Sequence, residues 1–299
     1  MAGRLIPALL GLLLSILTPH ALQAAVTWRD DAGTAWQVPA KLPARWVVLG
    51  PHLVEMIELL GRADRIVGVL DDHAVAGAHG RSRSGYPVVG TAGRVNVERL
   101  REVRPDLVVA WPSGLSPSEL ARLRRQGIPV LAMEPARLED LPDRLRWLGW
   151  LSGRDKQAEA LSRRWAGDLE ALRQRHAAGP RRKAFYQVWL KPLFTLSPRH
   201  LVSQAISLCG FDVVAPDTAL AAPVMGLEAV LKAQPDVILF GPEQASATRL
   251  FWLRFSRLPA VRKGGLVVVN DAALTRPGPS LLTELPHLCD QLLPWRTLP

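Results

Sequence analysis

The sequence predicts an α/β protein in which two Rossmann-like lobes are joined by a single long bridging α-helix, with a ligand cleft between the lobes. Three observations support this prediction. A helix–proline–aspartate–strand unit occurs twice, strand-like and helix-like runs alternate along the chain, and one uninterrupted helical pattern lies in the middle. The predicted organisation is a signal peptide over 1–25, an N-terminal extension over 26–43, an N-terminal lobe over 44–150, the bridging helix over 151–179 and a C-terminal lobe over 180–299.

The repeat pairs three residues at a constant offset of 130: Glu98 with Glu228, Pro105 with Pro235, and Asp106 with Asp236. Each proline ends the preceding helix, because it has no N–H and biases its predecessor away from the right-handed helical region. The apolar run that follows each aspartate is typical of a strand of a parallel sheet, buried on both faces. Two copies of this unit predict two related lobes.

Other segments fit the same alternation. Strand-like runs cover Trp46 to Leu49, Ile66 to Leu70, Pro129 to Met133 and Leu266 to Val269, and helix-like runs cover Leu53 to Leu60 and Glu119 to Gln126. Between the two lobes, residues 155–176 keep helical spacing without a break, and Gly179-Pro180 follows as a stop signal. At 1.5 Å per residue this helix spans about 33 Å, which predicts a rigid spine and small hinge closure.

The N-terminus predicts export. Arg4 precedes an apolar run from Leu5 to Leu17, and small residues then gather up to Ala24 and Ala25. This pattern is typical of a secretory signal peptide, with cleavage expected near Ala24 or Ala25 and a periplasmic location for the mature chain. The run is too short to span a bilayer, and a buried N-terminal helix is the alternative.

The chain has two cysteines, Cys209 and Cys289, and each follows an apolar helix-like run. In an exported chain one pair allows one connectivity, so a single disulfide between the C-terminal lobe and its last helix is the simplest interpretation. Two buried free thiols are the alternative. Neither cysteine has neighbours typical of a metal site.

Charge and motifs argue against two other classes of protein. The net charge is +10, but the arginines are scattered among acidic residues on helices and do not form a run with aromatics, which indicates a solvated surface rather than a nucleic-acid site. Gly50-Pro51-His52 has too few glycines for a phosphate loop, and no Gly-x-Ser-x-Gly motif occurs. An enzyme with Cys209 as nucleophile is a remote alternative, and we predict no catalytic activity.

Six stretches carry a family resemblance: Gly50 to Glu55; Ile66 to Val69; Asn96 to Leu100 with Arg104 to Trp111; Phe185 to Gln187 with Pro192 to Thr195; Gln204 to Gly210; and Arg276 to Pro279. Through them the chain resembles the helix-bridged class of ABC importer binding proteins, which carry cobalamin, siderophores, haem or metals. Within this class it is most similar to the cobalamin carriers, over about residues 44–293. The resemblance implies a monomeric carrier with no resident cofactor, a corrinoid ligand and a membrane permease dimer as partner.

The resemblance also assigns roles to single residues. Glu98 and Glu228 match the glutamates with which each lobe docks onto the permease, and two copies of one acidic residue suit a twofold-symmetric partner. The alternative is purely structural, since a glutamate in the first turn of a helix, as after Asn96, is stabilised by the macrodipole. Cys209 and Cys289 match the disulfide of the cobalamin carriers.

Eight residues at strand ends and in loops are the implied ligand contacts: His52, Asp72, Trp111, Trp189, Phe194, Asp271, Ala272 and Arg276. Aromatic faces cover an apolar corrin disc, and a few polar groups fix its orientation. Alternatively, the three aromatic residues belong to the core and Arg276 to the solvated surface. Aromatic residues that cobalamin carriers use fall here on Asp72, Ala92, Ala222 and Ala272, which implies a wider or more polar cleft.

Other ligands of the same fold remain open. A haem carrier requires an axial ligand, for which the candidates are Tyr86, Tyr186, His52 and His73. A ferric siderophore is a further alternative. A bare metal would need converging side chains, for which the candidates are His52, His73, His79, Asp71 and Asp271.

Overall fold

The computed structural model describes residues 26–71, 85–91 and 93–297. The predicted signal peptide lies outside the described residues, as do Asp72, His73, His79 and Ala92. In the part of the chain that is described, no helix combines the length and apolar character needed to span a membrane.

The first described element is an antiparallel hairpin of β1 (Thr27–Arg29) and β2 (Ala35–Gln37). The N-terminal lobe follows, with strands β3 (Trp46–Leu49), β4 (Ile66–Asp71), β5 (Val88–Thr91), β6 (Arg94–Val95), β7 (Leu107–Ala110) and β8 (Val130–Ala132). Its helices are α1 (Pro51–Leu59), α2 (Val97–Glu102), α3 (Pro117–Arg124) and α4 (Leu141–Ser152). The strand order is β6-β5-β4-β3-β7-β8, and only β5 and β6 pair antiparallel.

Helix α5 (Asp155–Ala177) follows directly and matches the run with helical spacing over 155–176 to within one residue. It is shorter than the 151–179 assigned to the bridge, because α4 continues to Ser152. Gly153, in a left-handed conformation with φ of 68°, ends α4 and lets the chain turn into α5. The buried stripe of α5 includes Trp165, Leu169 and Leu172. With 23 residues, the helix is about 35 Å long.

The C-terminal lobe contains strands β9 (Arg182–Gln187), β10 (Phe211–Val213), β11 (Val237–Phe240) and β12 (Leu266–Val268). Its helices are α6 (Leu201–Leu208), α7 (Leu227–Ala233), α8 (Ala245–Trp252), α9 (Pro259–Arg262), α10 (Asp271–Leu274) and α11 (Pro279–Thr297). The order β10-β9-β11-β12 is parallel throughout and reproduces the order β4-β3-β7-β8 of the first lobe. The predicted α/β fold of two related parallel sheets is therefore confirmed.

The duplication extends to the backbone. Arg104 and Gln234 have φ of 43° and 53°, and they are the two non-glycine residues with positive φ among those described. Each directly precedes the proline of its repeat, and the positions are again 130 apart. Both repeats thus leave the helix through the same left-handed turn.

The repeated aspartates have a structural role. The Asp106 carboxylate accepts hydrogen bonds from the backbone N–H of Ala44 and of Arg45, both at 2.8 Å. In the second lobe, Asp236 accepts from the N–H of Lys183 at 3.0 Å. In both lobes the aspartate therefore fixes the chain at the start of the neighbouring central strand.

The lobes share one core. A single cluster of buried side chains runs from α1 and β3 through α4 and α5 to α6 and α11. Cys209 at the end of α6 is disulfide-bonded to Cys289 of α11, with Cα atoms 4.8 Å apart, so the predicted bridge is confirmed. Cys289 does not end its helix, however, because α11 continues to Thr297 with Pro286 inside it.

Candidate functional site

A cavity of about 550 Å³ lies between the lobes. Its N-terminal wall is formed where β7 and β8 end, and its C-terminal wall by the loop before α6, the loop after β10 and the end of α10. Ligands of α/β proteins bind beyond the carboxyl ends of parallel strands, and the volume suits a small molecule. Polar side chains are prominent in the lining, namely Ser113, Glu134, Ser197, Arg199, His200, Thr218 and Thr275.

Of the predicted ligand residues that the structure describes, Trp111 lines this cavity. Its indole Nε1 donates a hydrogen bond to Glu134 Oε1 at 3.1 Å. Glu134 Oε2 accepts from the backbone N–H of Ser113 at 2.7 Å. The two bonds hold the indole and the loop after β7 against the end of β8.

His52 lies beneath Trp111 and does not reach the cavity surface. Its ring contacts the indole edge to face, with centroids 5.1 Å apart, and its exposed fraction is 1%. Neither ring nitrogen has a hydrogen-bond partner. Burial, with a contribution from the positive charge of Arg276, lowers the pKa of His52 to about 3, so the ring is neutral. In this arrangement His52 supports Trp111 instead of contacting the ligand directly.

Arg276 is also buried, and it connects the lobes. Its guanidinium pairs with Glu55 of α1 at 3.2 Å. Glu55 also accepts hydrogen bonds from Ser280, at 2.7 Å from the hydroxyl and 3.3 Å from the backbone N–H. The structure therefore places Arg276 neither in the cavity lining nor on the solvated surface, but in an ion pair that joins α1 to the start of α11.

Asp271 and Ala272 begin α10, after the last strand of the second sheet. The Asp271 carboxylate sits over Gly241, at the end of β11, and leaves no room for a Cβ there. Burial raises the pKa of Asp271 above its ordinary value. Both residues are half-buried and lie next to the cavity rather than in its lining.

Trp189 and Phe194 lie in the loop that follows β9, where their backbones pair with each other. Trp189 is 50% exposed, and its indole N–H donates to the carbonyl of Lys191 at 3.0 Å. Phe194 is half-buried and also pairs with Val224, whose side chain is exposed. Neither aromatic residue lines the cavity, so the structure does not place them among its wall residues.

Sequence reasoning missed Glu134 and His200. Glu134 follows a strand that was predicted, so its place at a carboxyl end was a usable signal. His200 caps α6, since its Nδ1 accepts a hydrogen bond from the N–H of Val202 at 3.2 Å. Burial lowers the pKa of His200. A histidine acting as a helix cap has no sequence signature comparable with serine or aspartate.

Glu98 and Glu228 stand in the first turns of α2 and α7, one in each lobe. Both are exposed, and neither carboxylate has a hydrogen-bond or ion-pair partner within the described ranges. Asn96 caps α2 through the N–H groups of Glu98 and Arg99, so the Glu98 side chain is not needed for capping.

Comparison with known proteins identifies the family. The model of the periplasmic binding protein family matches residues 47–272. The chain belongs to this family. A periplasmic binding protein of this kind implies a small-molecule ligand and a membrane permease of an ABC importer as partner.

Among curated relatives of this periplasmic binding protein, the vitamin B12-binding protein of Pectobacterium carotovorum is 30% identical over 264 residues, covering 84% of this chain and 89% of the relative. The vitamin B12-binding protein of Vibrio cholerae is 29% identical over 256 residues, covering 83% and 88%. Among solved structures, the V. cholerae vitamin B12-binding protein BtuF has a TM-score of 0.77 and 26% identity, over 86% of this chain and 99% of that one. The haem-binding protein RhuT of Roseiflexus shares the fold, with a TM-score of 0.72, 22% identity and coverage of 85% and 99%.

Proposed function

We propose that this protein captures cobalamin or a related corrinoid in the periplasm and delivers it to the permease dimer of an ABC importer. The cleft between the lobes, with Trp111 in its wall, is the observation that carries the proposal. Two curated relatives with near full-length coverage are named for binding vitamin B12, which supports this choice of ligand within the family.

The chemistry of the cleft suits a corrinoid. A corrin is a broad apolar disc with amide arms, and an indole offers an apolar face to such a disc. The hydroxyl, carboxylate and guanidinium groups of the lining offer hydrogen-bond partners to the arms. Trp189, which is 50% exposed on the second lobe, offers a further aromatic face to a ligand that extends beyond the cavity.

The described side chains do not favour haem held by an axial ligand. Tyr186 is 3% exposed within β9, and the Tyr86 hydroxyl donates to Glu58 at 3.0 Å. His200 lines the cleft, but its Nδ1 is an acceptor in the cap of α6, which leaves the proton on Nε2. A nitrogen that carries a proton cannot ligate iron.

Titration of the purified mature protein tests the ligand. Cyanocobalamin and dicyanocobinamide should bind with one-to-one stoichiometry and quench tryptophan fluorescence, because Trp111 lies in the cleft. Haem and ferric siderophores are the comparison ligands. If neither corrinoid binds at micromolar concentration, the corrinoid proposal fails, while membership of the carrier family is unaffected.

We assign docking onto the permease to Glu98 and Glu228. Both are exposed carboxylates on equivalent turns of the two lobes, and neither is used by the described part of the fold. Charge pairs at such a rim steer encounter more than they add affinity. The double variant Glu98→Ala with Glu228→Ala should therefore bind cobinamide normally and associate with the reconstituted permease about tenfold more slowly at low salt.

A matched control is Asp168→Ala with Glu170→Ala, which removes the same charge from the exposed face of α5. This control should associate like the unchanged protein. Equal association rates for the two double variants would reject the assignment.

The proposal also includes export and the absence of catalysis. The mature chain should begin near Ala24 or Ala25 and sediment as a monomer, which mass spectrometry and analytical ultracentrifugation measure. Bound corrinoid should be recovered chemically unchanged after release. Turnover of a corrinoid in the absence of permease would instead indicate an enzyme.

A further inference from the structure

Glu134 occupies a central place in the wall of the cleft. It follows β8, is half-buried and lines the cavity together with Trp111 and Ser113. Each carboxylate oxygen accepts one hydrogen bond from within the protein, at 3.1 Å from Trp111 and 2.7 Å from Ser113. A carboxylate has about four acceptor positions, so about two remain for a ligand. The wall therefore presents a negative charge with spare acceptor capacity beside an aromatic face.

The N-terminal hairpin holds Glu134 in place. The Asp31 carboxylate accepts a hydrogen bond from the backbone N–H of Glu134 at 2.6 Å. Asp31 is also ion-paired with Arg144, whose Nε donates to it at 2.9 Å. The two side chains are 10% and 12% exposed, so this pair is largely shielded from solvent. Beside it, Asp30 accepts from the N–H of Ala132 at 3.1 Å.

Tryptophans anchor the hairpin to the first lobe. Trp28 stacks against Trp36 and against Trp147 of α4, with centroids 6.1 and 6.2 Å apart. It also contacts Trp150 at 5.3 Å. Aromatic pairs in such geometry stabilise by about 0.5–1.5 kcal/mol beyond the area they bury. The hairpin is thus a fixed part of the lobe, and its acidic residues are fixed supports for the cleft wall.

We propose that Glu134 selects the ligand by its side arms, favouring amide-bearing over carboxylate-bearing discs, and that Asp31 is the positioning residue that makes this selection possible. This inference rests on the proposed corrinoid function. An amide N–H donates to the free acceptor positions of Glu134 in a charge-assisted hydrogen bond. A carboxylate arm at the same place brings a like charge to a partly desolvated site, which is unfavourable.

The opposite wall does not reverse this preference. Arg199 lines the cavity from the C-terminal lobe and would attract a carboxylate. Its side chain is 75% exposed and already faces Asp217 at 3.4 Å. An exposed pair of this kind contributes little, whereas Glu134 is half-buried and held by two hydrogen bonds.

Two ligands that share the corrin ring and differ in their side arms distinguish recognition of the arms from recognition of the ring. Dicyanocobinamide carries amide arms, and dicyanocobyrinic acid carries carboxylates on the same macrocycle. Calorimetry should show that the unchanged protein prefers the amide form. Glu134→Gln should lower this preference at least about tenfold, the usual value of a hydrogen bond to a charged group. Glu159→Gln is the matched control, since Glu159 of α5 is paired with Arg146 of α4, and neither residue lines the cleft.

A double-mutant cycle tests the role of Asp31. Asp31→Asn should lower the preference for the amide form in the otherwise unchanged protein. It should have no further effect on that preference in the Glu134→Gln variant, because Asp31 acts through Glu134. A merely structural role would lower the affinity for both ligands equally in both backgrounds.

The outcomes separate this inference from the proposed function. If the protein binds both ligands with equal affinity, or if Glu134→Gln behaves like Glu159→Gln, the selection proposal is overturned while the corrinoid function stands. If the protein binds neither ligand, the corrinoid function fails, and the selection proposal fails with it.

Discussion

The ion pair between Glu55 and Arg276 should contribute more to stability than the exposed ion pairs among the described residues. The two side chains are 19% and 9% exposed, and Glu55 receives two further hydrogen bonds from Ser280. Removing one partner of a buried pair leaves an uncompensated charge and destabilises by about 3–5 kcal/mol. We expect Glu55→Ala to lower the free energy of unfolding by this amount, and Arg276→Ala by a similar amount.

Urea denaturation measures the effect, and the chain supplies its own reference. Arg164 and Asp168 are paired at 3.7 Å on α5 with side chains 76% and 66% exposed. Removing that pair with Asp168→Ala should change the free energy of unfolding by less than about 1 kcal/mol. Equal losses for Glu55→Ala and Asp168→Ala would refute the reasoning.

The same variants separate two roles for Arg276. If the guanidinium mainly binds ligand, Arg276→Ala should leave the free energy of unfolding unchanged and reduce cobinamide affinity. If it mainly joins the lobes through Glu55, Arg276→Ala should lower the free energy of unfolding more than it lowers cobinamide affinity, and Glu55→Ala should have the same effect. The buried pair favours the second result.

Three further predictions concern stability. Burial lowers the pKa of His52 to about 3 in the folded state, against 6.5 in the unfolded state, so the unfolded state binds the proton more readily. The free energy of unfolding should therefore be highest above pH 6.5 and fall by about 1.4 kcal/mol per pH unit as the pH drops toward 3. His52→Leu should flatten the dependence of urea midpoint on pH between 5 and 6.5, and an unchanged slope would contradict burial of the neutral ring. Cys209 and Cys289 are separated by 80 residues, so replacing both with alanine should lower the free energy of unfolding by about 4.5 kcal/mol, and a loss below about 1 kcal/mol in the same assay would contradict the chain-entropy argument. Gln234→Gly should leave thermal stability unchanged or raise it by up to about 1 kcal/mol, because the residue has φ of 53°. Lys232→Gly, inside α7, is the control and should lower stability by about 1 kcal/mol.

The fold was accessible from the sequence because its signals are local and repeated. The buried strand Trp46–Leu49 was predicted with the bounds that the structure has, and the strand Val237–Phe240 is the apolar run predicted after Asp236. Both are continuous apolar runs bounded by turn residues. The bridging helix was equally clear, since its spacing is unbroken over six turns. The end of α11 was less clear, because Pro286 breaks the pattern although the helix continues through it.

The site was less accessible, because it depends on which long-range partners meet. Nothing near Arg276 in the sequence indicates that Glu55 will neutralise it, 221 residues away. His52 has the same local signals as a loop residue in a cleft, yet it is covered by Trp111. Glu134 follows a predicted strand, but its hydrogen bonds to Trp111 and Ser113 are visible only in the folded chain.

The N-terminal hairpin has a consequence for the order in which the protein assembles. Asp30 and Asp31 find their partners 102, 103 and 113 residues further along the chain. The hairpin cannot be fixed to the lobe until these partners are in place. Until then Trp28 and Trp36 have no lobe to pack against, and contacts of such large sequence separation form slowly. The wall of the cleft is therefore completed by the first described residues of the chain, but among its later folding events.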